Sequence, residues 1–149
     1  MADSKSQQII DKVKSVFNGI TVANGYNTDL ANRIYVNRDT DLEDEELPVC
    51  LIKDPEYIPS DEEAFIGYFR WQMNLEIQLI AAAGALAPAN VRKMVQDVLK
   101  ITGLNRRWNN LAVSTDQPVI NIDVKHGEQI EAGATITLPI IYDCPQWEI

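Results

Sequence analysis

The stretch FRWQMNLEIQL, residues 69–79, decides the fold. Its odd positions, Phe69, Trp71, Met73, Leu75, Ile77 and Leu79, are all apolar, and its even positions, Arg70, Gln72, Asn74, Glu76 and Gln78, are all polar. Coiled into a helix, Phe69, Met73 and Ile77 would lie opposite Trp71, Leu75 and Leu79. A period of two means a β-strand with one buried face and one wet or contact-making face, as an antiparallel sheet permits. At about 3.3 Å per residue the strand runs roughly 36 Å, enough to cross a whole sheet.

Apolar residues at helical spacing lie on either side of it. Ser4 and Gln7 form a capping-box pattern ahead of Ile9, Ile10, Val13, Val16 and Phe17, which predicts a helix over residues 5–18, stopped by Asn18-Gly19. Val91, Met94, Val95, Val98 and Leu99 form a second helical stripe, with Gly103 as its expected end. RIYVN (33–37) and residues 49–53 read as short strands, the second apolar on both faces and so internal. Pro55, Pro59 and five acids make residues 54–63 an expected irregular loop. Val119–Lys125 alternates again, with Ile120, Ile122 and Val124 on one face, and Ala134, Ile136, Leu138, Ile140 and Tyr142 mark the last strand. Pro139 places that strand at an edge, at a bulge, or paired on one side only. The expected fold is a single α+β domain over residues 1–149: a mostly antiparallel or mixed sheet with two helices packed on one face.

The net charge of −9 is unevenly placed. Residues 39–63 hold eleven acids against the single base Lys53, a charge of −10, so the other 124 residues carry +1. Two solvated loops explain this, as does a surface that repels an anion or meets a basic partner. Gripping of duplex DNA is disfavoured, because phosphate binding needs clustered bases. The polar start MADSKSQQ lacks the apolar core of a signal peptide, and no run is long enough to span a membrane. The expectation is a soluble chain that stays where it is made. Cys50 and Cys144 read as two reduced, buried thiols.

No chemistry emerges. The glycines are scattered, His126 stands alone in a turn, and no Ser or Cys sits in a nucleophile elbow. The acid pairs of 39–63 lie in stretches too flexible to position an acid and a base. The reading is a non-enzyme with no catalytic residue, no cofactor and no metal.

Several stretches together resemble the tail terminator proteins of long-tailed bacteriophages, also called tail completion or minor tail protein U-like proteins. They are ITVANGYNTDLANRIYVNRD after the first helix, ELPVCLI after an acidic loop, RWQMNLEIQLIA, ANVRKMVQDVLKITGL and TITLPIIYD. The resemblance covers nearly the whole chain and rests more on the order of elements than on any one residue. It implies a homo-oligomeric ring, usually a hexamer, that caps the growing tail tube, stops its polymerisation and offers the surface for head attachment. The implied partners are further copies of the chain, the tail tube protein and a head completion or stopper protein, with DNA passing through unbound and no membrane. The implied location is the virion tail near the head–tail junction, after assembly in the host cytoplasm. A head–tail connector or stopper of the neck, or a non-phage protein-binding module, are the alternatives.

Two surfaces follow as interface candidates. Asp39, Asp41, Glu43, Asp44, Glu45, Glu46, Asp61 and Glu62 are expected in loops, 39–46 and 54–63, that order only on the tube end or lumen. Arg106, Arg107 and Trp108 are residue types favoured at interface cores, placed to reach a neighbour's acids head to tail. Trp108 folded back on its own subunit is the other reading.

Overall fold

The structure, a computed structural model, describes residues 3–149. Of the polar MADSKSQQ start, Met1 and Ala2 lie outside the described residues. Helix α1 spans Lys5–Phe17, with the Ser4 hydroxyl accepting from the Gln7 amide at 3.1 Å. It buries Ile9, Ile10, Val13 and Phe17, one stripe of its surface. Its end differs from the expected left-handed stop. Asn18 stays right-handed, and the amides of Gly19 and Ile20 reach back three residues to Val16 O and Phe17 O, a tightened last turn.

Strands β1 (Ile34–Val36), β2 (Val49–Pro59) and β3 (Tyr68–Ile80) follow, then helix α2 (Ala87–Leu104) and strands β4 (Ser114–Thr115), β5 (Val119–His126) and β6 (Ile130–Pro145). They form one mixed sheet in the order β1-β2-β3-β6-β4, with β5 also on β6; β1–β2 is parallel and the other pairings among the described residues are antiparallel. The α+β reading holds. The paired centre is β3 against β6, with Leu75 opposite Leu138 and Ile77 opposite Ile136. One face of both strands joins the inner faces of α1 and α2 in a single core that includes Met73, Leu75, Ile77, Leu79, Leu138 and Ile140. Trp71 and Leu99 are only half-buried against it.

Two expectations are corrected here. Residues 54–59 are strand, because β2 runs through both prolines. Its register shifts between Lys53 and Glu56, so Asp54-Pro55 is absorbed in a bulge, and Pro59 is the last residue. β1 has already ended opposite Ile52, so this half of β2 has β3 on one side only and the missing N–H groups cost no ladder bond. The second correction is at α2. Gly103 is helical, and the helix is closed by Asn105, whose side chain donates to Ile101 O at 2.9 Å. β5 alternates as expected, with Ile120 and Ile122 on one face opposite Ile136 and Ala134 of β6, and both are 37% exposed at this edge.

β6 is central despite Pro139. The Pro139 carbonyl accepts from Asp116 N at 2.9 Å, so its nitrogen faces the same side, where residues 116–118 leave the gap between β4 and β5. The proline falls where no donor is needed.

Candidate functional site

The acidic run, continuous in sequence, is divided in space. Residues 39–46 precede the start of β2, where Val49 lies opposite Ile80; Asp61 and Glu62 follow its end, where Pro59 lies opposite Trp71. Eleven strand residues separate the two groups by roughly 35 Å. They form no single surface.

At the first end, Asp39, Asp41, Glu43, Asp44 and Glu45 are exposed, while Glu46 is half-buried and paired with Arg38 at 2.6 Å. Asp44–Glu46 forms one 3-10 turn, with Glu43 and Glu46 bonded reciprocally as a capping box. Arg33 adds a bond to Glu46 O at 3.2 Å. The loop expected to lack structure has internal partners. Asp44 and Leu47 also border a groove of about 420 Å³ over the polar face of the sheet, with Gln78, Asn121, Lys125 and Thr135.

At the second end, Arg70 grips Asp143 with two bonds of 2.7 and 2.9 Å and takes Glu62 at 3.0 Å. The fork geometry makes this the best-built ion pair of the polar face, and its hydrogen bonds to Asp143 push the guanidinium pKa up. The other polar side chains that β3 presents on this face, Gln72, Asn74, Glu76 and Gln78, are half-buried.

Arg106, Arg107 and Trp108 part company. Trp108 is 0% exposed, set edge-on to Phe17 at 6.2 Å between ring centres. It is a core residue and cannot serve as an interface anchor, which corrects its place among the candidates. Trp108, Asn109 and Asn110 all have positive φ, a run that turns the chain sharply and carries the indole inward. Arg106 and Arg107 are thrown outward, exposed, and form no ion pair among the described residues.

ANGYNTD gains a physical role. Asp97 on α2 is buried, accepting from Asn27 N at 2.9 Å and from the Thr28 hydroxyl at 2.5 Å, which staples this loop to the helix. The helical spacing puts Asp97 opposite the apolar stripe, with Lys93, Gln96 and Lys100, so its burial corrects that reading: the Asn27–Thr28 loop covers the carboxylate and supplies the partners a buried charge needs. Cys50 and Cys144 are free and buried. Burial pushes the Cys50 thiol up to about 12 and raises Cys144 as well, which disfavours the thiolate in both. Among the described residues no group of three acids, His or Cys is placed to hold a metal ion, and no helix is long and apolar enough to cross a membrane.

A scan against models of known protein families gives no match. A search of curated proteins gives none either.

Proposed function

We propose that this chain is a structural assembly protein of a phage tail: a terminator that forms a ring on the end of the tail tube, stops its growth and presents the surface that meets the head. The observation that carries the reading is the undivided polar face of β3 and β6. Two long strands run the full length of the sheet, with both helices packed in the core on one face and a polar, partly accessible row of side chains on the other. Such a face suits a subunit contact or the wall of a lumen, and with the exposed acids beside it DNA would slide past unbound. The resemblance in the order of elements supplies the particular role. The partners are further copies, the tail tube protein and a head completion or stopper protein, in the virion tail near the head–tail junction.

The test is to add the purified chain to polymerising tail-tube protein and measure tube length by electron microscopy. Tubes that stop short, with the chain at one end, are expected. Tubes of unchanged length and bare ends would overturn the proposal; binding to a portal or connector instead would move the chain to the neck.

A further inference from the structure

The three most exposed large apolar side chains, Ile66 at 103%, Trp147 at 88% and Phe65 at 76%, gather at one end of the sheet. Trp147 stacks edge-on against Phe69 at 5.1 Å, and Gln146 N bonds Gly67 O at 3.0 Å, tying the C-terminal residues to the β2–β3 turn. A groove of about 540 Å³ runs along this turn. The turn is preformed: Ser60 N reaches Arg70 O at 2.9 Å, Tyr68 N reaches Phe65 O at 3.0 Å, and Glu62 is held by Arg70. An exposed apolar tip on a turn anchored at its base in this way marks a contact surface. Its rim is acidic, with Asp61 and Glu63 exposed and outside any ion pair among the described residues.

The chain also carries the complement. Leu104, 71% exposed, sits beside Arg106 and Arg107 on the concave turn that Trp108 locks from within. This turn is tied to Thr115, which pairs with Ile140 in the last third of β6, while the tip lies just past the end of β6, where Tyr68 faces Pro145. Both patches thus lie toward one end of the sheet, the tip at the β2–β3 connection and the arginine turn at the β4 edge. The 39–46 acids lie toward the opposite end, with Glu46 already held by Arg38.

Resting on the ring reading, we infer that the β2–β3 tip of one copy docks on the Leu104–Arg107 turn of the next. Phe65 and Ile66 cover Leu104, while Asp61 and Glu63 face Arg106 and Arg107. Two different patches make a heterologous contact, the kind that closes into a ring when the rotation allows.

The test compares wild type, a tip variant (Phe65→Ser with Ile66→Ser) and a turn variant (Arg106→Glu with Arg107→Glu) by sedimentation, alone and as an equimolar mixture of the two variants. All four side chains are exposed, so unchanged thermal melts serve as the folding control. Wild type should form closed rings, and each variant should need at least about tenfold more protein to assemble. The mixture should yield heterodimers, because the intact tip of one variant meets the intact turn of the other. Variants that assemble like wild type, or a mixture that stays monomeric, would overturn the inference and leave the ring reading standing. Wild type that is monomeric up to its solubility limit would overturn both.

Discussion

Trp108 donates its indole Nε1 to Thr115 Oγ1 across 2.9 Å, and the same hydroxyl donates onward to Arg106 O at 2.8 Å. This chain of two bonds ties the arginine turn to β4 and closes the core over Phe17. Trp108→Ala should lower stability by about 3–5 kcal/mol, as loss of a large buried ring does. Thr115→Val, which strands the indole N–H and a carbonyl, should cost about 1–3 kcal/mol. Denaturant midpoints measure both, and a Trp108→Ala midpoint equal to that of wild type would return the indole to the surface.

Leu75 and Asn74 are neighbours on opposite faces of β3. Leu75→Ala should cost about 2–5 kcal/mol, because Leu75 is fully buried opposite Leu138. Asn74→Ala, on the polar face, should stay within about 0.5 kcal/mol. Equal thermal shifts for the two would contradict the assignment of faces.

Asp97→Ala removes the acceptor for the Asn27 amide and the Thr28 hydroxyl. The expected loss is about 1–3 kcal/mol, with faster hydrogen exchange at the Asn27 amide while the β3 amides keep their protection. Unchanged exchange at Asn27 would show that the loop is held by other contacts.

Burial raises the Cys50 thiol from an ordinary 9.0 to about 12. The folded chain thus keeps its proton where the unfolded chain releases it. The contribution to stability is complete below about pH 9 and is lost as pH climbs toward 12. In that window the slope due to this group approaches about 1.4 kcal/mol per pH unit. Cys50→Ala should remove that part of the alkaline slope, read as the difference between the two stability–pH curves; parallel curves would contradict it.

Residues 69–79 determine their own strand, because alternation of period two depends only on neighbours along the chain. The stripes of the two helices and the alternation of residues 134–142 do the same, and the α+β class follows from their order. The candidate surfaces were less legible. The prolines at 55 and 59 read locally as breakers, yet both sit in a strand, since only pairing decides which N–H groups a ladder needs. Gly103 reads as a helix stop, but the cap belongs to Asn105. Ile120 and Ile122 alternate on one face as read, but how far they are covered, 37% exposed at the β5 edge, is set by the packing around them. Trp108 beside two arginines reads either as an interface anchor or as a ring folded back on its own subunit; three left-handed residues settle it by turning the indole alone into the core. The run 39–63 reads as one acidic region, and β2 carries its halves to opposite ends of the sheet. Periodicity records which face of an element is apolar. What covers that face, and where a turn sends its charges, is set by contacts between segments far apart in the chain.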